Sequence, residues 1–508
     1  MSDAQKSHFS NMQKAALKSD ILTSTLQLLE WDQETYMPKG AIDVRSSQIE
    51  LLSDLIHKHK TSTSYKKALS KLVDLETGKP LDETASLAIK SAGKLWHKEW
   101  TQATKLPSSL IKQIAKNTST SLHAWDLAKK NKDFSLFAPH LEKMVSLVRK
   151  KANFLGYKEH PYDALIDLYE PEMTVAKLSP LFLELKTALR SLLGKIEAAR
   201  RPPFPALPKT FDPAIQMQMG KEILHLLGFS SETSRLDLTS HPFCLGIHPQ
   251  DTRMTTRIFA DNPLSNLLSV LHEAGHGLYN QQLPLQYYGT PLCQPLSFGV
   301  DESQSRLWET LIGKSLAFWE FFYPKLQQAF PLELQSIPLL EFYQRMNEVK
   351  ASFIRVESDE VTYSLHIILR FEIEKALIEG TLKVQDVPSA WNAQMKDLLG
   401  IVPDNDSEGC LQDIHWSMGS FGYFPSYTLG NLLAAQLFDT LQLAYPDLEN
   451  KIRQGNVLFI KDWLKENIHQ HGKIYSREEL ILQVTKKPLS SSFYIEYLHR
   501  KFGSIYGF

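Results

Sequence analysis

Cysteine is scarce in this 508-residue chain, which has only Cys244, Cys293 and Cys410. Their odd number and wide spacing argue against a disulfide framework and suit a reducing compartment, so the cytoplasm is the expected location. An excess of charge is missing too, with 56 lysines and arginines against 57 acidic residues. That balance gives no reason to expect a nucleic-acid or anionic-membrane partner, and any ligand must be recognised locally. Charges run through the segment from Met1 to Asp20, leaving no apolar core for a signal peptide. No uninterrupted apolar run approaches the roughly 18 residues that cross a bilayer. The expectation is a soluble, unexported protein. No repeat of fixed period and no low-complexity tract is present.

The length permits a large core, as about three domains or as one helical body. From about Asp20 to Arg200, apolar residues recur three and four apart, as in Leu51, Leu52, Leu55 and Ile56. This half reads as successive amphipathic helices. The stretch 201–208 holds Pro202, Pro203, Pro205 and Pro208. Proline removes a donor and disfavours helix for its predecessor, so the helical run breaks there. The proline-rich segment over 201–213 either links two domains or, the reading we favour, crosses the surface of a single unit, between a helical N-terminal part over 1–200 and a C-terminal part over 214–508. Around 241–259, Met254, Thr256 and Ile258 alternate with Thr255, Arg257 and Phe259, which predicts a short strand or hairpin. Helix resumes at Asn262-Pro263, an N-cap followed by proline at the first helical position. Leu264, Leu267, Leu268, Leu271, Gly275 and Leu278 form its predicted buried face, and Gly275 and Gly277 let a neighbour come close. Trp308, Phe318, Trp319, Phe321 and Phe322 read as core, and Arg149-Lys150-Lys151 as a solvated helix end.

Within that helix stands His272-Glu273-Ala274-Gly275-His276. Side chains at i and i+4 share a face, so both imidazoles can reach one ion at about 2.0–2.1 Å, with Glu273 beside the water such an ion holds. The pattern points to zinc peptide hydrolysis. A catalytic zinc takes three protein ligands and leaves a fourth position open. Glu302, on the next predicted helix, is the leading third donor. Asp301 and Glu309 compete with it, and pairing of Glu302 with Arg306 one turn on is the purely structural alternative. His57 with His59, and His469 with His471, have i,i+2 spacing that points apart on a helix, which favours solvated or hydrogen-bonded structural roles.

Further motifs surround these residues: His241-Pro242-Phe243, then Asp251, Arg253 and Thr255 at alternating positions, Ile354-Arg355, and Gly409-x-x-Gln412-Asp413-x-His415-Trp416. With the segments 31–38, 424–431 and 468–472, the chain resembles the M32 metallocarboxypeptidases of the thermostable Taq type over nearly its whole length. In that family the third ligand is the glutamate of a His-Glu-Ser motif, which falls on Glu302. Two positions depart from the pattern: Asp301 stands where the family has His, and Ser358 where it has Ala. Asp301 adjoins a ligand and is expected to alter the shell that orients the metal.

The resemblance implies a mainly helical zinc-peptidase body, with a small β-sheet near the zinc helix and a deep groove. It implies one zinc per chain, cobalt as an alternative ion, a homodimer, and single residues of broad type trimmed from peptides with a free C-terminus. Zinc would lower the pKa of its water from about 15.7 toward 7, and Glu273 would take the proton and pass it to the leaving amine. Charge on the carbonyl oxygen needs a donor, for which His415 and Tyr427 are expected, with Tyr423 as the substitute for Tyr427. Arginine suits a terminal carboxylate. Arg355 is the first choice, with an ion pair to Glu357 or Asp359 as its structural alternative. Arg253 is the second choice and could instead hold Asp251, and His241 is expected in the site wall. Two rival readings remain: an oligopeptidase that cuts internally, and a non-catalytic peptide-binding relative, the latter motivated by Asp301.

Overall fold

The computed structural model describes residues 3–199 and 210–508. The proline-rich stretch 201–208 lies outside the described residues. Beyond it Phe211 is buried, its N–H donating to the Ala260 carbonyl at 2.7 Å. Asp212 caps the helix Pro213–Leu226 by accepting from the Ala214 N–H. The fold is mainly helical, with one three-stranded sheet. No described helix is long and apolar enough to cross a membrane.

Two apolar clusters organise the chain. The larger runs from Ala128 to Tyr506, so the helices Ala138–Leu155 and Val175–Ala198 share one core with the residues after 210. Trp308, Phe318, Trp319 and Phe322 lie inside it, as their sequence predicts, and Phe321 packs against it. The smaller cluster joins Met12 and Ala16 of the helix Asp3–Thr35 to Tyr65, Leu69, Trp96 and Leu292. Asp3–Thr35 pairs with Ile42–Lys60 as a helical hairpin whose tip docks on the sheet. Trp31 packs under two guanidinium groups, Arg253 at 4.4 Å and Arg235 at 4.8 Å, and the Tyr36 hydroxyl donates to Asp237 at 2.5 Å.

The strands are β1 (Ser234–Leu238), β2 (Cys244–His248) and β3 (Asp251–Thr256). Their order is β1-β3-β2, with β1 parallel and β2 antiparallel to β3. The β2–β3 hairpin lies within the alternating segment, whereas β1 had no such signal. Central β3 packs on the helix Pro263–Gln281, which carries the two histidines. Thr256 Oγ1 lies 2.8 Å from Asn266 Oδ1 on that helix, and Asn266 Nδ2 donates to the Gln216 carbonyl at 2.7 Å. Asn262 caps it by accepting from the Ser265 N–H, and Leu267, Leu271 and Leu278 are buried.

The next helix, Phe298–Arg306, carries Glu302 and runs into a π-helical turn, Leu307–Ile312. Its N-terminus is fixed from both halves of the chain. Ser297 Oγ accepts from the Val300 N–H, and the fully buried Glu170 accepts from the Gly299 N–H while paired with Arg477 at 3.2 Å. A carboxylate there also favours the helix dipole. At the far side His469 bridges two helices, its Nδ1 against Gln282 Oε1 at 2.5 Å and its Nε2 against Gln304 Oε1 at 2.9 Å, with its ring on Tyr279.

Burial depresses the His469 pKa to about 3. A histidine held neutral in the fold stabilises fully above its unfolded value near 6.5, and the contribution is lost as pH falls toward the folded value. Stability to urea is therefore expected to fall by on the order of 3 kcal/mol between pH 6.5 and pH 4 through this group alone. His469→Gln should flatten that part of the pH profile; an identical slope in wild type and variant would show the ring is not the cause.

Candidate metal centre

His272 and His276 stack one turn apart, ring centroids 5.1 Å from each other. Their Nε2 atoms each lie 3.7 Å from the same atom, Glu302 Oε2. That spacing is too long for a hydrogen bond and close to the separation of about 3.3 Å between ligands at 2.0–2.1 Å in a tetrahedral shell. The opposite ring nitrogens are engaged by other carboxylates: His272 Nδ1 by Glu309 at 2.8 Å and His276 Nδ1 by Asp301 at 3.0 Å. With Nδ1 carrying the proton, both Nε2 lone pairs are left to converge with Glu302. Two imidazoles and one carboxylate are a donor set that fits zinc. Among the described residues, these three form the one group of at least three His, Cys, Asp or Glu side chains close enough to hold an ion together.

Two glycines let Glu302 into this position. A Cβ on Gly275 would meet the Gln304 carbonyl oxygen and Ser305 Cα at 2.5 Å, so the histidine helix touches backbone of the Glu302 helix. A Cβ on Gly430, in the helix Pro425–Ala444, would collide with Cγ and Cβ of Glu302 itself. The sequence assigned close approach to Gly275 and missed Gly430. Arg306 does not take Glu302 as its main partner. Its NH1 donates to Glu309 at 2.8 Å and its Nε to Asn431 Oδ1 at 2.7 Å, with Glu302 no nearer than 4.0 Å. Asp301 and Glu309, the competing donors in the sequence, stand behind the histidines.

Glu273 is buried on the same helix turn, and burial raises its pKa while both histidines pull the other way. Tyr423 and Tyr427 pack ring to ring at 5.2 Å, and burial raises both phenols, so they stay protonated donors. The Tyr427 hydroxyl lies 3.5 Å from His415 Nε2. Burial, aided by Arg355 and Arg370 and opposed by Asp413, lowers the His415 pKa to about 4, leaving a neutral ring. All three expected donors are thus grouped in one wall.

Arg355 is buried and paired, though not with Glu357 or Asp359. Its Nε and NH2 donate to Asp413 Oδ1 at 3.1 and 2.7 Å, and NH1 donates to the Tyr363 hydroxyl at 2.9 Å. Arg370 holds the other Asp413 oxygen through Nε at 2.7 Å. Against the effect of burial, the two guanidinium groups keep Asp413 well below the usual carboxylate range. The Arg355 guanidinium lies 5.0 Å from the Tyr427 ring centroid, which ties it to the same wall. Arg253 is elsewhere: it holds Asp251 through two bonds of 3.0 and 3.1 Å and stacks on Trp31. His241 is exposed at the turn leading into β2.

A cavity of about 530 Å³ opens beside Asp301. One wall is a single face of the N-terminal helix, Asp20, Thr23, Ser24 and Gln27, and another is β2 along its whole length. The Thr255 N–H donates to the Phe243 carbonyl, so Phe243 and Leu245 point their backbone groups at β3. By the alternation of an antiparallel pair, those of Cys244 and Gly246 face away from it. Sequence reasoning named Asp413 only as part of a motif and missed its pairing with Arg355, and it missed Tyr363 and Glu170, because their partners lie too far along the chain for periodicity to show.

A helix-borne histidine pair, a distant acid and a buried glutamate beside a cleft define the metallopeptidase class of site. Residues 11–502 match the model of the carboxypeptidase Taq (M32) metallopeptidases. The chain belongs to that family. It is 38% identical to carboxypeptidase 1 of Bacillus subtilis, covering 95% of this chain and 96% of that one. It is 37% identical to thermostable carboxypeptidase 1 of Thermus thermophilus, covering 98% and 99%. The crystal structure of the M32 carboxypeptidase of Deinococcus radiodurans superposes with a TM-score of 0.95 at 33% identity, covering 99% of this chain and 100% of that one.

The Gly430 contact generates a test. Gly430→Ala is expected to cost about 1–3 kcal/mol of stability by overpacking. By displacing Glu302 it should also weaken binding of an added divalent metal about tenfold or more. Urea midpoints and chelator competition read both; unchanged metal affinity in the variant would rule out a role for Gly430 in placing Glu302.

Proposed function

We propose that this protein is a zinc metallocarboxypeptidase that removes single residues from the C-termini of peptides. His272, His276 and Glu302 would hold the metal. The observation that carries the reading is the convergence of two imidazole nitrogens on one Glu302 oxygen, with Glu273 buried beside them. Zinc bound there supplies Lewis-acid polarisation of the scissile carbonyl and a water acidic enough to ionise near neutral pH.

The chain's own groups do the rest. Glu273, with a carboxyl pKa raised by burial, takes the proton of the attacking water and delivers it to the leaving amine nitrogen. The Tyr427 and Tyr423 hydroxyls donate hydrogen bonds to the oxygen on which charge gathers, and the neutral His415 stands beside Tyr427 to hold its hydroxyl. Arg355 offers a permanent cation for the terminal carboxylate. Asp413 and Arg370 fix its plane, and the Tyr363 hydroxyl is the group a substrate carboxylate would displace. The outward backbone groups of Cys244 and Gly246 can pair with an extended peptide lying along β2.

Glu273→Gln should retain stoichiometric zinc by metal analysis and lose at least about 100-fold in turnover, the usual scale for general acid–base catalysis. Full turnover in that variant would remove the base. A peptide and its C-terminally amidated twin separate trimming from internal cutting. Trimming predicts loss of cleavage on amidation and a raised KM for Arg355→Ala, whereas equal cleavage of both peptides would favour an oligopeptidase.

A further inference from the structure

A histidine can offer Nε2 to a metal only while Nδ1 carries the proton, and whatever accepts that proton also sets the angle of the ring. For His272 the acceptor is Glu309, and Arg306 at 2.8 Å neutralises it. His276 differs. Its Nδ1 and Asp301 Oδ1 are both buried, lie 3.0 Å apart, and have no other hydrogen-bonding partner among the described residues. Each is therefore the other's available mate. Their contact meets the distance of a hydrogen bond without its straight angle, a geometry that a small rotation of either side chain repairs. No lysine or arginine lies within ion-pair distance of Asp301 among the described residues, so its charge is uncompensated, unlike that of Glu309.

Resting on the ligand reading above, we propose that Asp301 is the positioning residue for His276: its carboxylate accepts the Nδ1 proton, turns Nε2 toward the metal and adds negative charge behind that ligand. The carboxylate sits on the first turn of the Glu302 helix, one residue before the ligand. The same short segment thus supplies one ligand directly and orients a second across the helix interface. A shape-preserving change at 301 should loosen the metal without touching any ligand. Asp301 also borders the cavity, so its second oxygen has access to solvent.

The test uses the full chain as wild type, Asp301→Asn and Asp301→Ala, stripped of metal and reloaded with zinc. Zinc affinity is read by competition with a chromophoric chelator and zinc release by stopped flow, with the melting temperature of the metal-free proteins as the control for folding. Asn keeps the shape and removes the charge. Both variants are expected to bind zinc about 10- to 100-fold more weakly, with faster release, while the metal-free proteins still melt in one cooperative transition. Zinc affinity within twofold of wild type for both variants, in a wild type that binds one equivalent, overturns this proposal and leaves the ligand set standing. A wild-type chain that takes up no zinc overturns both.

Discussion

The site depends on one steric condition: three helices approach until backbone touches side chain around Glu302. The histidine helix can lie against Gln304 and Ser305 because position 275 has no side chain, and the helix Pro425–Ala444 can lie against Glu302 because position 430 has none. Without those two absences, the carboxylate could not stand 3.7 Å from both ring nitrogens. The rest of the centre is built outward from that contact. Glu170 and Ser297 hold the start of the Glu302 helix, and His469 pins it to the end of the histidine helix. β3 supports the histidine helix from the other side through Thr256 and Asn266.

Electrostatics follow the same logic. Burying charge is costly unless each charge meets an opposite one with good geometry. Asp413 lies between Arg355 and Arg370, and Glu309 between His272 and Arg306. Glu302 has the Ser305 hydroxyl at 3.2 Å, with two imidazole nitrogens and the Arg306 guanidinium at longer range, so it has no short ion pair and a dication would supply one. Partners of this kind also lock side-chain rotamers, so the reacting groups are held before substrate arrives.

Local signals carried much of this into the sequence. The histidine pair was legible because helical periodicity alone fixes which residues share a face, and Asn262-Pro263 marked where that helix begins. The β2–β3 hairpin showed as alternation, while β1 did not, because a short strand parallel to a distant one has no turn beside it. Glu302 stood out only against Asp301 and Glu309, and the geometry now separates the three by which histidine nitrogen each one faces. Arg355 illustrates the limit. Its neighbours in sequence, Glu357 and Asp359, were the plausible partners, yet the residue that binds it is Asp413. A pairing across so many residues leaves no periodic trace, and neither does a glycine such as Gly430 whose reason is a side chain on another helix.

One wall of the cavity and the candidate metal ligands belong to different apolar clusters. Asp20, Thr23, Ser24 and Gln27 ride on a helix whose buried residues join Tyr65, Leu69 and Trp96, while the histidines and Glu302 are embedded in the larger core. Regions with separate packing open with separate free energies. That wall can therefore shift without disturbing the spacing of the histidines and Glu302, so that opening of the cleft and precision at the metal centre are not in competition.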